Sequence, residues 1–203
     1  KVSGSQIIDK YSTLVNPMRN IPQFITSFTG ISNEDVEDAP FFENIVDNIQ
    51  KLIEDTVLVA HNLSFDYSFL KKEFSVCGIE KITNHRLCTL RLARRLYPML
   101  KSKSLGAVTN HLKLKNVDAH RALSDAEVTA RILIRMINEL KNTHNIQSAA
   151  ELLNFQYNPA LKGISLKINE KVGDAIASMP DLPGVYFFHN RKNEIIYIGK
   201  AKS

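Results

Sequence analysis

Two stretches of this chain set acidic and imidazole side chains at spacings that suit hydrolytic chemistry: "HNLSFDYSFL", from His61 to Leu70, and "HRALSDAEVTARIL", from His120 to Leu133. Asp66 follows "TVLVAHN", a short apolar run of the kind a buried strand shows. It therefore falls in the first turn of a helix over "SFDYSFLKKEFSVCG" that Gly78 closes. The helix dipole alone favours an acid there, but a strand end opening onto a helix start is also where α/β sheets place ligands. Phe65 and Phe69 are expected to pack one face of that helix and leave Asp66 along the crevice. In the second stretch, a wheel at about 100° per residue gathers Ala122, Ala126, Ala130, Leu133, Ile137 and Leu140 within about 80°, and sets Asp125 about 60° off one edge, on the side of Ile132 and Met136. A carboxylate at such a boundary needs compensation, from a cation, from Arg121 four residues earlier, or from a wet groove. His120 lies about 140° from Asp125 on a helix, so the two meet at one site only if His120 precedes the helix start.

The elements that position these residues follow from pattern. "SGS" at Ser3 to Ser5 reads as a turn between the end of one strand, Lys1-Val2, and a second strand in "QIIDKYSTLV" that Asn16-Pro17 ends. Ser32 with Asp35 three residues on is a capping-box start. A further helix begins near Pro40, with Phe41, Phe42, Ile45, Ile49, Leu52 and Ile53 at helical spacing. "CTLRLARRLYP", "LGAVTNHLKL" and Ala122 to Leu140 give three more helices. Strands interleaved with helices imply an α/β layer fold with a mixed sheet. From 142 to 180 the periodicity weakens and Pro159, Gly163 and Pro180 appear, which suits a linker carrying short helices. Residues 181–203 contain two β-rich runs around "HNRKN" and read as a hairpin.

Composition narrows the function class. The chain has 203 residues, 44% of them hydrophobic, enough for a packed core. Lys and Arg outnumber Asp and Glu by 26 to 21, a net +5 that mildly favours a polyanionic partner, with Arg91, Arg94 and Arg95 clustered. Cys77 and Cys88 have neither metal nor disulfide-framework spacing, which suits a reducing compartment, and cytoplasmic is the default location. No apolar run approaches the roughly 18 residues of a membrane helix, so no membrane partner is expected.

"HNLSFDYSFL" with "HRALSDA" downstream resembles the second and third motifs of the DEDDh exonucleases, the DnaQ-like family that includes the proofreading subunit of bacterial DNA polymerase III. The resemblance spans residues 1–141, including "TGISNEDVEDAP" and "NHLKL". It implies a ribonuclease H-like fold, a mixed sheet flanked by helices, and a 3′–5′ exonuclease that releases nucleoside monophosphates from DNA, with RNA a further substrate. Asp66 and Asp125 match metal-binding aspartates, His120 matches the general base, and His61, Asn62 and Phe65 are expected at the substrate. Oxygen ligands favour Mg2+ or Mn2+, two ions in the complete site, which neutralise the phosphodiester and support attack by water. The expected setting is replication proofreading or repair, beside a polymerase or repair complex. The family's first motif, an Asp-x-Glu on the first strand, has no counterpart here, and that strand is expected upstream in a longer parent. Without it the chain holds two of four carboxylates, so activity as it stands is expected to be weak or absent. A non-catalytic module that keeps the fold, binding nucleic acid or a polymerase, is the alternative.

Cross-strand aromatic pairs alone account for a terminal hairpin. "GVYFFHNRKNEIIYIGKAKS" also resembles the opening of a GIY-YIG nuclease domain of the UvrC type, with Gly184-Val185-Tyr186 and Tyr197-Ile198-Gly199 as its triplets. The resemblance implies catalytic roles for Tyr186 and Tyr197.

Overall fold

The computed structural model describes residues 1–115, 121–159 and 184–201, in two compact units, Lys1–Leu161 and Lys162–Ser203. The architecture is α/β, with strand pairings of both senses, flanking helices and a C-terminal β-hairpin.

In the first unit, β1 (Val2–Ser3) and β2 (Gln6–Ile7) pair antiparallel around a turn where Gly4 takes φ 58°, a conformation that favours glycine. β2 is shorter than the alternation of "QIIDKYSTLV" predicts. After Ile8 donates to the Lys1 carbonyl the chain leaves the ladder, and most side chains from Ile8 to Asn20 stay exposed, with no partner strand among the described residues to hold them extended. Helix α1 (Gln23–Thr29), unexpected from the pattern, stops at Gly30 in the left-handed region. Helix α2 (Asn33–Val36) starts on the expected box: Asp35 N–H donates to Ser32 Oγ, and Ser32 N–H to the Asp35 carboxylate. Helix α3 (Phe42–Ile53) buries Ile45 and Val46.

The parallel pair β3 (Leu58–Ala60) and β4 (Arg86–Cys88) flanks helix α4 (Leu63–Val76), with Leu58 opposite Arg86 and Ala60 opposite Cys88. β4 is a second departure. Its three residues sit at the front of a run whose dominant period is helical, and the helix proper, α5, spans Thr89–Leu96. Helices α6 (Leu105–His111) and α7 (Ala122–His144) complete the central layer. One core joins Leu87, Leu92, Ala93, Tyr97, Val108, Ile132, Leu133, Met136 and Leu140.

The buried stripe of α7 differs from the alanine-led one that the wheel selects. Ala122 and Ala126 are exposed, while Val128, Thr129, Ile132, Leu133, Met136 and Leu140 are buried. Alanine loses little by facing water, so the larger side chains decide which face turns inward. The stretch from 142, expected as linker, opens with packed residues. Helix α7 runs on to His144, and helix α8 (Ala149–Phe155), started by a capping box of Ser148 and Glu151, places Leu152 and Phe155 in the core.

Gln156, 1% exposed, ties α8 to β4: its Oε1 accepts from Cys88 N–H at 3.0 Å and its Nε2 donates to the Arg86 carbonyl at 2.7 Å. A residue of a parallel neighbouring strand bonds to just such a carbonyl and N–H, two positions apart. One side-chain amide therefore closes the outer edge of β4 as a strand would.

In the second unit, β5 (Gly184–His189) and β6 (Ile195–Ala201) pair antiparallel, with a bulge at Phe188/His189. Asn193, at φ 64°, and the Asn190 side chain shape the turn: Asn190 Oδ1 accepts from the Lys192 and Glu194 N–H groups. Among the described residues, no helix is long and apolar enough to cross a membrane.

Candidate active site

The parallel sense of β3 and β4 brings the ends of both strands to one side of the ladder. Beyond Ala60 the chain turns through Asn62, at φ 69° and ψ 45°, and enters α4 at once. Asparagine tolerates this left-handed conformation better than most residues, which explains its place in so tight a strand-to-helix turn.

His61 holds the turn with both ring nitrogens. Nε2 lies 2.8 Å from the Lys103 carbonyl and Nδ1 lies 3.0 Å from Thr89 Oγ1, the first residue of α5 and fully buried. A carbonyl only accepts, so Nε2 carries the proton and in the neutral ring Nδ1 accepts from the Thr89 hydroxyl. Burial lowers the His61 pKa and favours that neutral form, while the Lys103 carbonyl and Asp66 pull the other way. His61, expected at the substrate, is thus engaged within the protein, where it binds the end of β3 to α5 and to the segment before α6. Thr89 and the Lys103 carbonyl carry no sequence signal for this role, since both partners are more than 25 residues away.

Helix α4 turns Leu63, Tyr67, Leu70 and Phe74 inward at helical spacing. Phe74 meets the Phe42 ring with centroids 5.9 Å apart, and the Arg86 guanidinium sits 4.6 Å from the centre of the Tyr67 ring. Phe65 and Phe69 do not join this stripe as expected; they pack on each other at 5.0 Å and remain 61% and 54% exposed. Asp66 lies between the two faces. Although the residue as a whole is exposed, crowding of its carboxyl by protein raises its pKa, against the pull of its own backbone N–H and of His61.

Asp125 occupies the equivalent place on α7, in the first turn and half-buried. Thr129, Ile132, Met136 and Leu140 follow it at intervals of four, seven, eleven and fifteen residues, all buried. Asp125 therefore heads the buried stripe, closer to the interior than the wheel on the alanines indicates. Its N–H donates to the Arg121 carbonyl at 2.9 Å. The Arg121 guanidinium lies toward the α1–α2 corner, against Gly30 and near enough to Asp35 to help lower that carboxyl's pKa.

His120, the expected general base, lies outside the described residues. Among the described residues, no group of three or more His, Cys, Asp or Glu side chains forms a metal cluster. The donor chemistry of Asp66 and Asp125 nevertheless fits a hard divalent cation. Both are carboxylates at helix starts beside apolar stripes, and the raised Asp66 pKa marks a charge that a cation would relieve.

On the hairpin, Tyr186, Phe188 and Tyr197 share one face: Tyr186 and Tyr197 have ring centroids 6.1 Å apart, and Phe188 and Tyr197 5.8 Å apart. Gly199 lies directly across from Tyr186, whose phenol end covers it so closely that a Cβ at 199 would collide with Cζ, Cε2 and the hydroxyl. A hydrogen bond with Tyr197 pushes the Tyr186 phenol pKa up.

Comparison with known proteins gives this geometry a context. The RNase T family model, described as Exonuclease, matches residues 1–133. A DNA polymerase III PolC-type from Caldanaerobacter subterraneus is 38% identical over 75% of the chain, and a 3′-5′ exonuclease DinG from Staphylococcus epidermidis is 38% identical over 70%. A putative bifunctional exonuclease/endonuclease protein from Mycobacterium tuberculosis is 32% identical over 99%. The chain spans only 11%, 16% and 30% of those three proteins. Among solved structures, Exonuclease X in complex with 5′ overhanging duplex DNA superposes with a TM-score of 0.61 at 27% identity, over 77% of this chain and 86% of that one.

Proposed function

Because the chain belongs to the RNase T exonuclease family, we propose that it serves a metal-dependent 3′–5′ exonuclease that removes nucleoside monophosphates from DNA during proofreading or repair. The observation that carries this reading is the matched setting of Asp66 and Asp125, two carboxylates in first helical turns, each at the margin of a buried stripe. The names of the relatives add support, since one is a 3′-5′ exonuclease and another a DNA polymerase III.

In this mechanism Asp66 and Asp125 would hold Mg2+ or Mn2+. When bound, such ions would supply positive charge to offset that of the phosphodiester and of the leaving 3′ oxygen. His120 accepts the proton of the attacking water. His61 keeps the turn in place so that Asp66 leaves the helix start at a fixed angle. Asn62 and Phe65, both exposed, line the approach of the terminal nucleotide.

The test is release of mononucleotides from a 5′-labelled oligodeoxynucleotide by the full-length protein with Mg2+ or Mn2+, beside an oligoribonucleotide. Loss of activity in Asp125→Asn and Asp66→Asn supports the assignment. Full activity in either variant refutes it, and binding without hydrolysis by the wild type favours a non-catalytic module.

A second nuclease centre on the hairpin is favoured by the Tyr186–Tyr197 pair over Gly199, and by the bifunctional relative, whose match runs over nearly the whole chain. The division this implies is an exonuclease unit over 1–161, with α8 packed into its core, and a GIY-YIG domain that begins within 181–203. Nicking of supercoiled plasmid by the full-length protein, lost in Tyr186→Phe or Tyr197→Phe while exonuclease activity persists, tests it. Undiminished nicking in both variants rejects it.

A further inference from the structure

We propose that the arginine stripe of α5, Arg91, Arg94 and Arg95 with Tyr157 beside it, is a docking surface for the phosphodiester backbone of a nucleic-acid strand. This rests on the exonuclease reading and adds to it a surface on the other side of α5 from His61.

Leu92 and Ala93 of α5 are completely buried, so the residues between and beyond them face outward. At about 100° per residue the stripe lies roughly opposite Thr89, so it faces away from the side of α5 that bonds His61.

Arg91 and Arg95 are held in place by protein, and Arg94 stands exposed between them. Arg91 lies over the Tyr157 ring at 4.9 Å, and Tyr157 is 63% exposed, so the guanidinium has one face backed by protein and an edge left to solvent. Arg95 Nε donates to the Asn158 carbonyl at 2.6 Å and its Nη1 to the Arg91 carbonyl at 2.8 Å, which fixes it without neutralising it. Among the described residues the ion pairs are Lys10–Glu127 and Glu127–Arg131, and neither includes this stripe. Burial and the neighbouring Arg91 and Arg94 lower the Arg95 pKa, which is the mark of like charges crowded together. A repeating anion resolves that crowding, and the phosphate of a nucleic acid repeats along its strand.

The experiment measures binding of a fluorescein-labelled oligothymidylate to the full-length protein in EDTA, from about 50 to about 200 mM salt. Arg94→Gln and the double variant Arg91→Gln/Arg94→Gln are compared with wild type, each first shown to unfold at the wild-type temperature. Each phosphate contact on a single strand contributes about 0.7 to the slope of log affinity against log salt, so the double variant should be shallower by about 1.4. Over that fourfold rise in salt, its affinity gap to wild type then closes about sevenfold. Hydrolysis of the p-nitrophenyl ester of thymidine 5′-monophosphate, which has no strand to dock, should keep its kcat/KM in both variants.

Superimposable salt slopes overturn the docking surface while leaving the exonuclease reading intact. Loss of ester hydrolysis overturns it too, because the arginines would then act at the reaction centre. Failure of wild-type protein to bind the oligonucleotide at any salt, even while binding an acidic protein, sinks the nucleic-acid reading itself.

Discussion

Gln156→Leu should destabilise the protein by a margin that the structure lets one work out. The substitution keeps most of the volume but removes both amide bonds, leaving the Cys88 N–H and the Arg86 carbonyl facing a residue site only 1% exposed. An unsatisfied buried group costs about 1–3 kcal/mol, and movement of α8 to admit water recovers part of that, so the two together come to about 2–4 kcal/mol. At about 2–4 °C per kcal/mol for a domain of this size, the midpoint of thermal unfolding should fall by roughly 5–15 °C. Gln156→Glu separates hydrogen bonding from packing. As a carboxylate it still accepts from Cys88 but sets a negative oxygen against the Arg86 carbonyl; once protonated it donates there as the amide does. Its folded-state pKa is therefore raised, and the variant should recover stability toward wild type as pH falls toward about 4. Thermal unfolding by circular dichroism between about pH 4 and pH 8 reads both effects. A Gln156→Leu midpoint equal to wild type, or a Gln156→Glu deficit that does not shrink on acidification, would refute the edge-closing role.

Asp66→Asn should abolish metal-supported activity and yet raise the unfolding midpoint of the metal-free protein at neutral pH. The folded-state pKa lies above the unfolded one, so the ionised carboxylate costs stability above the unfolded value, and a neutral amide removes that cost. A lower midpoint for the variant at pH 7 would contradict this. His61 titrates in the opposite sense. Its folded-state pKa lies below the unfolded value of about 6.5, so its contribution is complete above that pH and is lost as pH falls below it; His61→Gln should flatten the midpoint-against-pH curve in that window. Gly199→Ala should displace the Tyr186 ring and break its bond to Tyr197, so that Tyr186 ionises nearer its ordinary pH in a phenolate absorbance titration. An unchanged titration would show that the ring does not depend on the bare glycine.

Most helices, and the two aspartates in their first turns, are legible in the sequence because their signals are local. Ser32 and Asp35 are three residues apart, Gly78 closes its own helix at φ 79°, and Asp66 and Asp125 sit in motifs a few residues long. What escapes is settled by partners far along the chain. β4 has three residues, too few to impose a period of two before α5 begins, and it extends because β3 and Gln156 bond to either side of it. The inward face of α7 is set by what α5 and α6 offer it, which a wheel weighted by alanines misses. The partners of His61 escape too, because Thr89 and the Lys103 carbonyl reach it only through the fold.

The bond between Gln156 and β4 also has a consequence in time. Its partners lie 68 and 70 residues apart in the chain, the longest side-chain span among those the structure describes apart from Lys10 to Glu127. At a synthesis rate of about 5–20 residues per second, roughly 4–14 s separate translation of β4 from translation of its closing amide. Through that interval the outward carbonyl and N–H of β4 have no covering group from their own chain. A nascent chain stalled between 88 and 156 thus carries a bare parallel edge, open to pairing with a neighbouring chain, and the edge closes only when α8 has emerged and folded.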